Sequence, residues 1–350
     1  MNVIELKRSQ LEQVAFHREK LRKQPHLCWL FFEITNRCNL NCEHCGSRCT
    51  AEGQSLTISD VETTLKSILQ DKPTVCLTGG EPMLHPQFFE IADCVHSMGF
   101  LWGMTTNATL IDDTAAEKLK HVGMSTVSVS IDGMEQSHDK LRKRKGAWKN
   151  ALHGILALQN AGFAPQVTTV VHQGNYDELN QLYEMLCSMG IKSWRPINIE
   201  PIGRACESGD LLLKPEQFSQ LLSYIRDKRF DPECKMEVTF GCSHYLGAEN
   251  ERMVRDHYFL CGAGILTASI RSNGNICACL DIENRPELVQ GNIRTDNFMD
   301  VWLNRFQVFR RDRTAGCSKC MKCPDRFLCG GDSTHTWNYE KNEPLLCLKT

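Results

Sequence analysis

The sequence predicts an α/β fold, a partial (β/α)6 barrel followed by a smaller, loop-rich, cysteine-rich domain. Three observations carry this. Over the first 200 or so residues, short β-rich runs alternate with stretches of helical periodicity. Four of the helical stretches end alike, at Met98-Gly99-Phe100, Val122-Gly123-Met124, Ala161-Gly162-Phe163 and Met189-Gly190-Ile191. In each, a glycine able to take left-handed torsions stops the helix, and an apolar residue opens the next strand. After about residue 230 that grammar ends, and cysteines and glycines cluster instead. Successive βα units make a parallel sheet with helices outside, and the active sites of such barrels lie at the C-terminal strand ends.

The elements follow in order. Residues 1–26 read as an N-terminal helical extension, 27–230 as the barrel and 231–350 as the second domain. Strands are expected at Leu27–Thr35, Thr74–Thr78, Phe100–Thr106, Thr126–Asp132, Gln166–His172 and Ser193–Glu200. Helices fit at 59–70, 86–98, 113–122, 147–161, 177–189 and 215–228. Ser59 with Glu62, and Thr114 with Glu117, have capping-box spacing. Beyond 230, Ile265–Arg271 and Ile276–Leu280 flank Ser272-Asn273-Gly274-Asn275, the pattern of a hairpin with a glycine turn. No low-complexity linker separates the two parts, so close packing is expected.

Composition narrows the function classes. A length of 350 residues predicts roughly two domains. With 40 Lys+Arg against 42 Asp+Glu, the net charge of −2 excludes a globally basic nucleic-acid binder. No apolar run approaches the ~18 residues of a membrane span. Met1–Gln24 has neither the apolar core nor the cleavage site of a signal peptide, which predicts a cytoplasmic protein with no membrane partner. Against that background, 19 cysteines stand out. Disulfides are rare in a reducing compartment, so the density points to metal or cluster ligands. Cys28, Cys76, Cys94 and Cys187 lie in apolar or helical contexts and read as small buried hydrophobes.

Cys38, Cys42 and Cys45 follow the first strand at CxxxCxxC spacing. Three thiolates on one short loop reach one soft-metal centre, and on a 4Fe–4S cluster they leave one iron open. The alternative is a structural zinc site with His44 or Cys49 as fourth ligand. Thr78-Gly79-Gly80-Glu81-Pro82 follows the second strand; it reads otherwise as a plain βα turn.

The two motifs together, in this order at adjacent strand ends, resemble the radical S-adenosylmethionine (radical SAM) superfamily. The resemblance implies a TIM-type partial barrel whose open iron chelates the methionine end of S-adenosylmethionine and whose reduced cluster cleaves it to a 5′-deoxyadenosyl radical. It implies cofactor contacts for Gly79, Gly80, Glu81, Asn107, Ser130 and Arg142, the last in a His138-Asp139-x-x-Arg142 stretch. A fixed guanidinium fork suits a carboxylate or ribose; a surface charge within Lys140–Lys145 is the alternative. Cys261-x12-Gly274-x4-Cys279 and Cys320-x2-Cys323-x5-Cys329, with Cys347 beyond, resemble the SPASM/twitch extension, which implies one or two auxiliary 4Fe–4S clusters. Ser333 stands where that pattern has a further cysteine. The expected grouping is Cys320, Cys323, Cys329 and Cys347 in one cluster, and Cys261, Cys279 and Cys317 toward a second. A zinc ribbon is the alternative.

Asp281, two residues past Cys279, is the candidate general base, with a surface turn as its alternative. Trp102, Trp194 and Trp337 either line a pocket or pack in the core. The resemblance implies maturation of a ribosomally made peptide by crosslinking, epimerisation, thioether formation or oxidation, with a flavodoxin- or ferredoxin-type reductant. Because the first strand begins near Leu27, a leader peptide is expected to be read by the barrel surface or by a separate protein. The enzyme alternatives are a sulfatase-type maturase and a modifier of a small molecule such as a tetrapyrrole side chain. A non-catalytic iron–sulfur or zinc protein is the alternative from another class, and such a protein has no need of the GGEP segment.

Overall fold

The computed structural model describes residues 2–241 and 244–347. Its frame is one ten-stranded sheet. Seven strands, β1 (Trp29–Thr35), β2 (Thr74–Gly79), β3 (Trp102–Thr106), β4 (Thr126–Ser130), β5 (Gln166–Val171), β6 (Ser193–Asn198) and β7 (Glu237–Val238), lie side by side in chain order, all parallel. On the other side of β1, β8 (Thr267–Ile270) pairs parallel and leads into antiparallel β9 (Asn275–Cys277) and β10 (Gly291–Asn292). The expected glycine-turn hairpin is therefore present, with Gly274 at φ +87°. It does not stand apart, however. The C-terminal part extends the barrel sheet by hydrogen bonds to its first strand.

Helices α1 (Val3–Lys23), α2 (Ile58–Ser67), α3 (Phe88–Ser97), α4 (Asp113–His121), α5 (Glu135–Arg142), α6 (Ala147–Asn160), α7 (Leu179–Ser188) and α8 (Pro215–Phe230) supply most of the outer layer. In α3, Phe88, Ile91, Ala92 and Val95 are the buried positions, the i, i+3, i+4, i+7 stripe of a helix packed on a sheet. They meet Val75, Leu77 and Trp102 of the strands, all fully buried, and each large aliphatic side chain so removed from water contributes about 2 kcal/mol. Trp102 and Trp194 belong to this core; Trp337, also buried, touches a cleft described below. The four junction glycines sit at φ +78°, +74°, +92° and +74°, torsions that would strain any residue with a Cβ.

Three local readings are corrected. The cap of α2 is Thr57 with Asp60, whose side chain returns to the Thr57 N–H at 2.9 Å, not Ser59 with Glu62. In α4 the cap is Asp112, accepting from Ala115 N–H at 2.8 Å, because Thr114 is already inside the helix. Helix α5 was not anticipated. It is eight residues long and strongly polar, with no apolar period to betray it. The N-terminal helix docks on the cysteine-rich part: Arg18 donates to the Leu328 carbonyl at 3.0 Å and Arg8 meets Asp325 at 2.9 Å. Among the described residues, no helix is long and apolar enough to cross a membrane.

Candidate active site

The loop after β1 folds back over the ends of β2 and β4, held mainly by backbone bonds. Cys38 N–H donates to Thr50 O at 2.7 Å and Glu43 N–H to Leu141 O at 2.8 Å. From β2, Gly80 and Glu81 donate to the carbonyls of Thr35 and Arg37, each at 2.9 Å. This contact is why glycines stand there. A Cβ on Gly80 would lie 2.2 Å from the Arg37 oxygen and 2.9 Å from Cys38 Cβ, and one on Gly79 would lie 2.1 Å from the Thr35 oxygen. Arg204, which no motif marked, ties the loop from beneath, donating to the carbonyls of Cys42 at 2.7 Å and Cys49 at 3.0 Å.

Cys38, Cys42 and Cys45 line one cavity of about 580 Å3 together with Gly79, Gly80, Asn107, Ser130 and Arg142. The loop after β1, the ends of β2, β3 and β4 and the end of α5 thus converge on the expected place. Glu81 is the exception. Its side chain is fully buried, does not line the cavity, and accepts from Thr106 Oγ1, Asn107 N–H and Met83 N–H at 2.8, 2.8 and 3.3 Å. It fastens β2 to β3 and holds Asn107 in place; it is not itself a cavity group. Burial pushes its carboxyl up to about 6.

Arg142 is buried, not a surface charge. Its Nε and Nη2 grip Asp132 Oδ2 at 2.9 and 2.7 Å, which leaves Nη1 4.0 Å from Cys42 Sγ. Burial alone would raise the Asp132 carboxyl, but Arg142 and then His44 hold it well below the usual range. The pair is a fixed positive edge beside the cysteines. Asp132 was legible only as the end of a strand.

The donor set fits an iron–sulfur cluster. Burial pushes the Cys38 thiol up to about 12 and also raises Cys42 against the pull of Arg142. Buried neutral thiols become thiolates readily only when a cationic centre supplies the opposing charge. Cys45 is brought down to about 6 by a hydrogen bond from Cys49. His44 also lines the cavity, and its buried Nδ1 has no hydrogen-bond partner.

The auxiliary cysteines form a second system. Cys317 is fully buried and caps a short turn, its sulfur accepting from Cys320 N–H at 3.4 Å, and Cys320 also feels Cys323 and Cys347. Cys317, expected from the sequence to lie toward Cys261 and Cys279, instead sits one helical turn from Cys320. Cys261, Cys279 and Ser333 line the same 580 Å3 cavity, opposite the Cys38 loop. Cys329 and Cys261 share a smaller cavity with Arg18 and Arg313. Burial would raise the Cys261 thiol, but Arg313 and hydrogen bonds from Thr334 and Ala263 keep it below its ordinary value. Among the described residues, no three His, Cys, Asp or Glu side chains converge on one point closely enough to hold a single metal ion.

Behind this wall runs a buried polar chain. His335 Nε2 meets Glu200 Oε2 at 2.7 Å. Glu200 Oε1 stands 3.1 Å from His244 Nε2, an ion pair off the hydrogen-bond axis, and His244 Nδ1 bonds Asp332 Oδ2 at 2.9 Å. Burial disfavours a charged ring, but Glu200 and the Cys279 thiol hold His335 well above its usual range. None of the four was singled out from the sequence. They are spread over 136 residues without a shared motif, so only the fold brings them together. Asp281 is exposed, 3.9 Å from Cys279 Sγ. It and His335 also line a second cleft of about 560 Å3 with Arg48, Arg271, Arg285 and Trp337. The two cavities share Gly46, Ser47, Asp281 and His335 and are therefore neighbours.

Residues 32–186 match the radical SAM superfamily, and residues 261–324 match the SPASM iron–sulfur cluster-binding domain. The AdoMet-dependent heme synthase of Methanosarcina barkeri is 29 % identical over 337 residues, 89 % of this chain and 94 % of that protein. The mycofactocin maturase MftC of Mycolicibacterium smegmatis is 29 % identical over 86 % of this chain and 76 % of that protein. Among solved structures, Streptococcus suis SuiB bound to S-adenosylmethionine superimposes with a TM-score of 0.72 at 19 % identity, covering 88 % of this chain and 73 % of that one.

Proposed function

Because the chain is a member of the radical SAM superfamily with a C-terminal SPASM domain, and so an enzyme that uses S-adenosylmethionine, a 4Fe–4S cluster and an auxiliary iron–sulfur cluster, we propose that its substrate is a tetrapyrrole of the heme class, modified at a side chain. The observation that carries this reading is the match to an AdoMet-dependent heme synthase across both halves of the chain and nearly all of the relative. The peptide-maturation reading rests on the maturase MftC, whose match spans less of each chain.

When bound, the cluster and S-adenosylmethionine supply a hydrogen-abstracting radical. The chain's own residues do the rest. Cys38, Cys42 and Cys45 would hold the cluster; Gly79 and Gly80 let the backbone approach the cofactor; Asn107, Ser130 and Arg142, whose Nη1 faces Cys42 Sγ, would offer polar contacts to it. Glu81 positions Asn107. The adjoining cleft has the size of a small-molecule site. Arg48 on its walls is paired with Glu207, Arg285 with Glu287 and Glu340, and Arg271 donates to the Leu280 and Ile282 carbonyls. A porphyrin carboxylate would exchange with the glutamates for Arg48 or Arg285, while Trp337 suits its ring. Asp281, on the wall shared by both cavities, is placed to take a proton from the substrate. Cys320, Cys323, Cys347 and Cys317 hold one auxiliary cluster; Cys261 and Cys279 serve a second, and Cys329 faces their side. A flavodoxin- or ferredoxin-type protein supplies electrons.

The test is titration of the anaerobically reconstituted chain with iron-coproporphyrin III. Saturable binding seen as a shift of the Soret band, with 5′-deoxyadenosine formation rising on addition, is expected. No binding, with a rise on addition of a precursor peptide instead, would overturn the tetrapyrrole reading in favour of the peptide one.

A further inference from the structure

We infer that His335 is a ligand of an iron–sulfur cluster seated on Cys261 and Cys279, its Nδ1 supplying a further protein ligand there. The inference rests on the SPASM assignment and is independent of which substrate the enzyme takes.

Two thiols do not hold a cluster of this kind, which ordinarily has four cysteines and in some centres exchanges cysteines for histidines. Cys329 faces Cys261 from the smaller cavity and can add a thiol. On the wall that carries Cys261 and Cys279, the remaining side chains with a donor atom are the hydroxyls of Thr267, Ser269 and Ser333, the carboxylate of Asp281 and the imidazole of His335. Asp281 is exposed, and a carboxylate is a hard ligand, whereas imidazole suits iron. A hydroxyl must first lose a proton it holds tightly. His335 has neither handicap. Its side chain is only 12 % exposed and lies against Cys279.

The decisive feature lies on the far side of the ring. Metal-bound imidazoles almost always give their other N–H to a carboxylate, which fixes the tautomer and the ring plane. Glu200 takes that place, 2.7 Å from Nε2. With Nε2 on Glu200, Nδ1 is the nitrogen left to bind iron, giving up to solvent, as the cluster binds, the proton that the ring otherwise holds. Glu200 is itself fixed, because His244 stands 3.1 Å from its other oxygen and is anchored by Asp332 at 2.9 Å. A buried chain of four residues thus ends in one imidazole at the cavity wall, beside a thiol. Ligands on different irons of a cluster do not meet at one point, so this arrangement differs from that of a single-ion site.

The test uses the full chain carrying Cys38→Ala, Cys42→Ala and Cys45→Ala, so that only auxiliary iron is present, reconstituted anaerobically and reduced. Pulsed electron paramagnetic resonance is expected to show a nitrogen coupling of ligand strength that converts to the 15N pattern when the protein is grown on [15N]histidine. His335→Cys should retain the iron, lose the coupling and lower the reduction potential of that cluster. Adding Cys261→Ala and Cys279→Ala should remove both the coupling and about four irons. Circular dichroism checks that each variant is folded; should His335→Cys fail that check, the labelled parent decides alone. The inference is overturned if the parent shows no histidine nitrogen coupling, if the coupling persists in folded His335→Cys, or if loss of Cys261 and Cys279 leaves the iron content unchanged.

Discussion

The Cys38–Cys45 loop and the wall facing it line the same cavity but are built in opposite ways. The loop places three thiols within eight residues and fixes them by backbone hydrogen bonds to the ends of neighbouring strands. The wall draws its groups from positions 260 to 335: a hairpin added to the barrel sheet by backbone bonds brings in Cys279, and buried side chains, the Glu200 chain above all, fix His335 beside it. A site built by backbone tolerates most substitutions around it except where the backbones touch. A site built by buried charges fails when any one partner is removed, because the others are left uncompensated.

The largest expected effect separates the two regions outright. Replacing Cys38, Cys42 and Cys45 by alanine should abolish 5′-deoxyadenosine formation and leave the auxiliary iron in place. Gly80→Ala should approach the same loss without touching a ligand, since its Cβ has no room beside Arg37 and Cys38. Iron analysis and chromatography of the nucleoside check both. Cofactor cleavage at the normal rate by the triple variant would break the comparison at its root.

Next comes the converse. Cys320→Ala with Cys323→Ala removes two thiols from the auxiliary group behind the wall and should stop product formation while cofactor cleavage survives. If the folded double variant lost cleavage too, the loop would depend on the wall and the two would be one unit. The shared sheet makes that outcome physically conceivable, which is why the experiment sharpens the contrast.

Arg142→Ala tests the buried Arg142–Asp132 pair on the loop side. It leaves Asp132 buried with a charge and without its partner, at a cost of about 3–5 kcal/mol. Urea denaturation of the reduced metal-free chain should show this as a lower midpoint with an unchanged slope. A loss below about 1 kcal/mol would mean that water or His44 replaces the guanidinium.

The same contrast explains what the sequence could and could not reveal. The barrel was legible because each βα unit repeats a local pattern, and the four junction glycines recur with the torsions expected of them. The cysteine loop was legible because its spacing is local. Glu81 was marked by its motif, but a motif marks a position, not the direction in which a carboxylate turns, and here Thr106 and Asn107 claim it. Cys317 falls outside the spacing pattern, so the sequence had no guide to its place, whereas a single helical turn puts it beside Cys320. Glu200, His244, Asp332 and His335 carry no local signal. Neither does Arg204, which acts 162 residues from the carbonyl it binds.

The smallest effect, and the most diagnostic of a wall held by charge, is a dependence of stability on pH. Burial works against protonated His244, but Asp332 and Glu200 raise its pKa from the usual 6.5 to about 9. Below pH 6.5 the ring is protonated in folded and unfolded chains alike, and the stabilisation from its two carboxylates is fully present. Between pH 6.5 and about 9 the folded chain keeps a proton that the unfolded chain has released, so stability falls as pH rises. Above about 9 the contribution is gone. Its full size is about 3 kcal/mol. Unfolding free energies of the reduced metal-free chain and of His244→Gln, measured at pH 6, 7.5 and 9.5, isolate it, because the titrating thiols are common to both and cancel in the difference. The difference should be largest at pH 6 and shrink through the window. The loop side offers a contrast, since the guanidinium of Arg142 does not titrate in this range; the Arg142→Ala difference should stay nearly flat over the same three pH values. A His244→Gln difference equally flat would mean that the ring is neutral in the fold, and that the wall is held by hydrogen bonds and not by charge.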